Sequence, residues 1–294
     1  MAIRTAPTRL KQLLDALRPG PVLILMHDNP DPDCFASAAG LRFLLERTAG
    51  VSSTIAYGGL IGRASNKTLL RALDIDVRHV DQIDFSQFPR VATVDTQPRG
   101  GNNSLPADRV ADAVIDHHAP RKATRACPFA DVRTAYGATC TMIVQYLNEA
   151  EIEIPQSLAT LIFYAIRTET QELGREASKA DVDAYMEFFP VADLELVSSI
   201  ERARIPRDFF QTWHRALLAA RIHAGAATCP IGAVQNPDMI PEVADMLLRL
   251  EGITWSVACG YHAGQVIFSL RTSETGAAAG ALAQRVAGRR GTAG

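Results

Sequence analysis

The sequence predicts an α/β protein, a mostly parallel sheet flanked by helices and joined by a helical linker to a smaller α/β domain with a mixed sheet. Three observations carry this reading. Over residues 1–190, apolar strand-like runs alternate with helical segments, as a parallel sheet with crossover helices requires. Three of these runs end in acid or imidazole groups: 21–26 before His27, 90–94 before Asp95, and 113–115 before Asp116-His117-His118. Reactive groups gathered at the carboxyl ends of strands belong in the crevice of an open parallel sheet. Beyond Pro206 the pattern changes, and two strand-like runs face each other across His262-Ala263-Gly264, a hairpin signal.

The elements follow in order. Residues 9–17 form a short amphipathic helix, stopped by Arg18-Pro19-Gly20. Residues 21–26 are the first strand. The loop His27-Asp28-Asn29-Pro30-Asp31-Pro32-Asp33 is stiffened by its prolines and leads into a helix over 35–47. A strand over 51–57, a helix over 66–73 and strands over 91–95 and 114–116 come next. Tyr136-Gly137-Ala138-Thr139 opens a helix that runs to about residue 150, and another covers 157–166. Helices over 179–188, 194–203 and 207–220 are separated by Pro190 and Pro206. The remainder predicts strands over 224–234, 254–261 and 265–271, with helices over 241–251 and 275–286. The expected division is a larger domain over 1–190, a linker over 191–222 and a smaller domain over 223–294.

Composition narrows the function. Lys+Arg 30 against Asp+Glu 32 gives a net charge of −2, so no global basic field favours a long nucleic-acid duplex. The five cysteines are scattered and lack paired short spacings, which argues against a disulfide framework or a zinc knuckle and for buried thiols. No apolar run reaches the roughly 18 residues of a membrane span, and a soluble cytoplasmic protein is expected. A homodimer is an arrangement the sequence leaves open.

One imidazole and two carboxylates in the first loop, His27, Asp31 and Asp33, suit a hard or borderline divalent metal. Taken with Asp95, Asp116-His117-His118 and the acidic loop Arg167-Thr168-Glu169-Thr170 after an apolar helix, the order and spacing of these motifs resemble the DHH phosphoesterase family. That family includes RecJ-type exonucleases, oligoribonucleases, 3′-phosphoadenosine 5′-phosphate phosphatases, type II pyrophosphatases and exopolyphosphatases. The resemblance implies two adjacent manganese ions, for which magnesium or cobalt could substitute. By matching position, His27, Asp31 and Asp95 would hold one ion; Asp33, Asp95, His117 and Glu169 would hold the other. Asp95 would then be the shared anionic ligand that a close ion pair needs. Glu169 stands where the family more often has aspartate. Asp116 would be an acceptor that fixes its surroundings, and His118 a contact to the scissile phosphate.

Ser269-Leu270-Arg271-Thr272-Ser273 resembles a strand of the DHH-associated domain, which makes Arg271 a candidate substrate contact. The family's following Gly-Gly-His-type loop would begin about where the chain reads Gly291-Thr292-Ala293-Gly294, approached through Arg289 and Arg290, and is expected beyond it. In the glycine-rich segment 57–63, which lacks dinucleotide or P-loop spacing, Arg63 and the nearby Asn66 are further candidate substrate contacts. The resemblance thus implies hydrolysis of short oligoribonucleotides or 3′-phosphoadenosine 5′-phosphate. The alternatives are an exopolyphosphatase, a cyclic-dinucleotide phosphodiesterase, and a metal- or nucleotide-binding sensor without turnover.

Overall fold

The computed structural model describes residues 8–274, 277 and 279–288; Arg289, Arg290 and the residues after them lie outside the described residues. The elements are α1 (Arg9–Leu17), β1 (Val22–Leu25), α2 (Pro32–Ala49), β2 (Ser53–Tyr57), α3 (Ala64–Ala72), β3 (Arg78–His79), β4 (Arg90–Val94), β5 (Ala113–Asp116), β6 (Phe129–Val132), α4 (Thr139–Glu149), α5 (Gln156–Glu169), α6 (Lys179–Phe188), α7 (Leu194–Glu201), α8 (Arg207–Ala219), β7 (Arg221–His223), β8 (Ala226–Ala233), α9 (Met239–Leu247), β9 (Trp255–His262), β10 (Gln265–Thr272) and α10 (Ala279–Ala287). Two compact units result: the chain up to Ile61 with Ser65–Arg202, and Gly62–Ala64 with the chain from Ala203.

The first unit is built on a sheet in the order β3-β2-β1-β4-β5-β6, with every pairing parallel. β1 reads Val-Leu-Ile-Leu and is buried throughout, as a central strand covered on both faces must be. Its alternate residues separate two cores. Val22 and Ile24 join Leu13, Leu17, Phe35, Leu41, Ile143, Leu147 and Ile162 from the helices, whereas Leu23 and Leu25 join Val80, Ile83, Phe85 and Phe88 from short connecting turns. Since β2 lies on one side of β1 and β4 on the other, the chain reverses direction across the sheet there, and the crevice at the carboxyl ends of β1 and β4 is where an open sheet places a ligand.

α2 begins three residues before its expected start. Asp31 caps it by accepting the Cys34 N–H at 3.1 Å, and Pro32 occupies the first turn, where its missing N–H costs nothing. The helix then runs under the sheet against α4 and α5. At Gly40 a Cβ would stand 2.7 Å from Ile143 Cγ2, so glycine sets the close approach to α4.

The second unit has a four-stranded mixed sheet, β10-β9-β8-β7, in which β8 and β9 are parallel and the other pairs antiparallel. The strand expected over 224–234 is a hairpin arm instead, because Ala224 and Gly225 both take positive φ, 46° and 80°, and turn the chain between β7 and β8. The expected hairpin at Ala263-Gly264 forms in the same way, with φ 46° and 83°. α9 covers one face with Ile240, Val243 and Ala244, and α8 contributes Ala216. Of the segment expected to link the domains, α7 packs with the first unit through Val197 and Ile200, and α8 with the second.

Candidate metal centre

Three strands that are neighbours in the sheet, β1, β4 and β5, each deliver one ligand-type group just past their last residue. His27 follows β1, Asp95 follows β4 and His117 follows β5. Adjacent strands lie roughly 4.8 Å apart, so these side chains stand in a row with Asp95 in the middle. Its two carboxylate oxygens face opposite ways: Oδ2 is 3.6 Å from His27 Nε2 and Oδ1 is 3.5 Å from His117 Nε2. Asp95 adopts φ +56°, a left-handed conformation that Asp tolerates better than most residues, as the backbone leaves the strand. Thr139 Oγ1 donates to Asp95 Oδ1 at 2.9 Å.

Both imidazoles are oriented from behind. His27 Nδ1 contacts the Asp28 carbonyl at 2.9 Å and His117 Nδ1 contacts the Tyr136 carbonyl at 3.0 Å. A carbonyl can only accept, so each Nδ1 carries a proton, and each Nε2, turned toward carboxylates, is the ring atom left to hold either a second proton or a cation. The His117 Nε2 is buried without a hydrogen-bond partner. It stands 3.5 Å from the Asp95 carboxylate oxygen, longer than an ordinary N–H···O bond, a separation that a cation held between the two atoms would fill.

The remaining groups close around the row. Asp31 Oδ2 lies 3.7 Å from His27 Nε2. Asp33 points inward from the first turn of α2, where it accepts the Thr139 and Cys140 N–H groups at 2.7 and 2.8 Å and so caps α4. Glu169, the last residue of α5, is held by Arg175 at 3.1 Å yet lies within the electrostatic reach of Asp31 and Asp33. Two sets of donor atoms lie within 4.8 Å of one another: His27, Asp31, Cys34 and Asp95, and Asp95, His117 and His118. Neither Asp33 nor Glu169 belongs to either set.

The electrostatics have one direction. Burial, and then the Asp95 charge, pushes the Asp33 carboxyl to about 7. Burial and then the Asp31 charge raise Asp95 to about 6, and burial with the charges of Asp31 and Asp33 raises Glu169 to about 7. Burial alone would depress the imidazoles, but Cys34 and Asp31 hold His27 well above its ordinary value, and Asp33 and Asp95 raise His117. Acids and imidazoles that are all raised mark a crowd of buried carboxylates whose negative charge a divalent cation would balance. The donor set fits one.

His118 sits at the rim, its side chain 57% exposed, with Nδ1 2.8 Å from Asp116 Oδ1 and 3.6 Å from Asp95 Oδ1. Burial opposes its charge, but the hydrogen bond to Asp116 and the nearby carboxylates raise it to about 9. Asp116 is buried and stays below the usual carboxylate range because the His118 and Gln97 hydrogen bonds outweigh its burial. Gln97 was not singled out by the sequence, although it stands only two residues past Asp95. Its Nε2 donates to Asp116 Oδ2 at 2.6 Å and to the Ala119 carbonyl at 3.0 Å, and its Oε1 accepts from the Arg121 N–H and Thr124 Oγ1, each at 2.7 Å. Thr139 and Arg175 were missed as well, since a threonine at a helix start and an arginine in an acidic loop carry no motif.

The expected substrate contacts are placed differently. Asn66 is buried, and its amide donates to the Pro30 carbonyl at 3.2 Å, so it supports the first loop. Arg63 belongs to the second unit, where its Nε is 4.0 Å from Glu242. Arg271, also in that unit, projects from β10 and pairs with Asp245 at 2.6 Å.

The model of the DHH family, N-terminal domain, matches residues 21–166. An uncharacterized protein of Methanocaldococcus jannaschii is 36% identical over 256 residues, 86% of this chain and 52% of the relative. A Lactobacillus gasseri protein named as a probable manganese-dependent inorganic pyrophosphatase is 28% identical over 50% of this chain and 47% of its own. The chain thus spans about half the length of these curated relatives. A crystal structure of an exopolyphosphatase-related protein from Bacteroides fragilis superposes with a TM-score of 0.75, covering 97% of this chain and 88% of that one at 12% identity, and so shares the fold. No helix among the described residues is long and apolar enough to cross a membrane.

Proposed function

We propose that this chain, whose residues 21–166 match the DHH family, is a metal-dependent phosphoesterase that hydrolyses short oligoribonucleotides or 3′-phosphoadenosine 5′-phosphate with a pair of manganese ions. The observation that carries this reading is the row of His27 Nε2, Asp95 and His117 Nε2, with both Nδ1 atoms committed to carbonyls and each Nε2 3.5–3.6 Å from its own Asp95 oxygen. His27, Asp31 and Asp95 hold one ion; Asp33, Asp95, His117 and Glu169 hold the other. Bound divalent ions supply the positive charge and the water activation that hydrolysis at a phosphoryl centre needs at neutral pH. Manganese accords with the name of the Lactobacillus relative, and with a mixed set of imidazoles and carboxylates.

The chain's own residues do the rest. His118, kept protonated by Asp116, donates its outward ring N–H to an anionic phosphoryl oxygen of the substrate. Gln97 holds Asp116 with a neutral amide, so it fixes that carboxylate without adding a charge at the rim. Arg271 binds a phosphate or base remote from the reacting bond. The near-neutral net charge of −2 favours a small substrate over a long strand, and the protein acts in the cytoplasm.

The test is calorimetric titration of the metal-free protein with manganese, together with turnover of 3′-phosphoadenosine 5′-phosphate, an RNA dinucleotide, a cyclic dinucleotide and polyphosphate. Two bound ions and hydrolysis of either of the first two substrates are expected. Turnover confined to polyphosphate or the cyclic dinucleotide would move the substrate class, and bound ions without any turnover would make the protein a sensor. Failure to bind an ion would refute the reading.

A further inference from the structure

The first ion position contains one donor more than a nitrogen-and-oxygen site needs. Cys34 occupies the first turn of α2, one residue past Asp33, and its thiol is fully buried and turned toward the row of strand ends. Its Sγ is 3.5 Å from Asp95 Oδ2. His27 Nε2 is 3.6 Å from that same oxygen and 3.7 Å from Asp31 Oδ2. All four donor atoms lie within 4.8 Å of one another. Ligands about 2.0–2.3 Å from a tetrahedral ion are separated by roughly 3.3–3.8 Å along the edges of the tetrahedron. All three measured separations fall in that range, and the two from His27 are longer than hydrogen bonds.

We infer that Cys34 is a fourth ligand of the ion held by His27, Asp31 and Asp95, and that this position prefers a thiophilic, tetrahedral divalent cation such as zinc, cobalt or ferrous iron over manganese. The inference rests on the proposed metal centre and replaces manganese at its first position, leaving manganese at the second. On binding, the Cys34 S–H bond ionises, its proton leaves to solvent and the sulfur donates its electron pair to the ion. A thiolate with one imidazole and two carboxylates matches ions that accept sulfur at four-coordination, whereas manganese favours oxygen-rich sites of higher coordination. On the other side of Asp95, the donor atoms that lie together contain no thiol. The two positions therefore differ in metal preference, and the resting protein can hold two different ions.

The test uses the full chain, stripped of metal and titrated with cobalt. A thiolate-to-cobalt charge-transfer band in the near ultraviolet is expected in the wild type. It should vanish in Cys34→Ala and Cys34→Ser and persist in Cys140→Ala, which removes the other buried thiol beside Asp33. Competition between zinc and manganese at this position should lose about tenfold or more of its preference for zinc in Cys34→Ala. If neither Cys34 variant folds, NMR of cadmium bound to the wild type distinguishes a sulfur ligand from an all-nitrogen-and-oxygen set. Bound cobalt without the band, a band that survives both Cys34 substitutions, or cadmium without a sulfur ligand overturns the inference while leaving the metal centre standing. Cobalt that does not bind at all, or binds unchanged in Asp95→Asn, overturns the metal centre itself.

Discussion

Removing the metal should make the protein less stable as the pH rises, and the structure gives both the sign and the size of the effect. Asp33, Asp95 and Glu169 are raised to about 7, 6 and 7 by burial and mutual repulsion, against ordinary values near 4 in the unfolded chain. Between roughly pH 4 and pH 7, therefore, the folded metal-free protein binds more protons than the unfolded one. The stability these protons provide is complete below pH 4 and is lost as the pH climbs through the folded values. The three groups repel one another and share protons; with only one excess proton retained, the loss from pH 5 to pH 7 is about 3 kcal/mol, a large part of a typical folding free energy. Raised values for His117 and His118 continue the decline above pH 7. A bound cation replaces the protons and reverses the slope, because its ligands bind it deprotonated. Urea unfolding at pH 5, 6 and 7, in chelator and again in saturating manganese, measures both slopes. Metal-free stability that is flat or increases over this range would refute the electrostatic argument for the centre.

Asp95→Asn keeps a residue that tolerates φ +56°, so it should fold normally while losing ion binding and orders of magnitude of turnover; circular dichroism, calorimetry and a manganese-dependent assay test this. Glu169→Gln should weaken the second ion and lower kcat by a factor of about a hundred or more, whereas Glu169→Asp should stay active, as single-turnover rates across a manganese titration would reveal. Arg271→Ala breaks a half-exposed pair with Asp245, worth about 0–1 kcal/mol, and a long bond to the neighbouring Leu270 carbonyl. It should raise KM for nucleotide substrates by about tenfold at nearly constant kcat and leave a small generic phosphodiester unaffected, which steady-state kinetics on both substrates would check.

The strands that build the centre were legible because they are short apolar runs closed by chemically conspicuous residues. β6 was not read: Phe129-Ala130-Asp131-Val132 contains an aspartate where a core strand should be apolar, and only the structure pairs Asp131 with Arg9, Arg133 and Tyr146. The start of α2 was placed late because Pro32 and Asp33 look like loop residues, although proline is at home in a first turn. Capping and coordination use the same side chains here: Asp31 caps α2, and Asp33 accepts N–H groups at the start of α4. Cys34 was read as one buried thiol among several, since neither spacing nor composition tells which wall a cysteine faces. Asn66 was placed at the substrate on its closeness to a glycine-rich segment, and its bond to the Pro30 carbonyl under the first loop carries no motif.

The middle place of Asp95 among three strand ends also says where this chain can change length. An insertion or deletion of one residue within β4 would turn the side chain that follows it to the opposite face of the sheet and empty the gap between the two imidazoles. The same change at Ala107 and Asp108, the exposed turn of the segment that joins β4 to β5, would leave both strand ends where they are. Among descendants of such a chain, length variation is expected to collect in that connection and to be purged from the five residues Arg90–Val94.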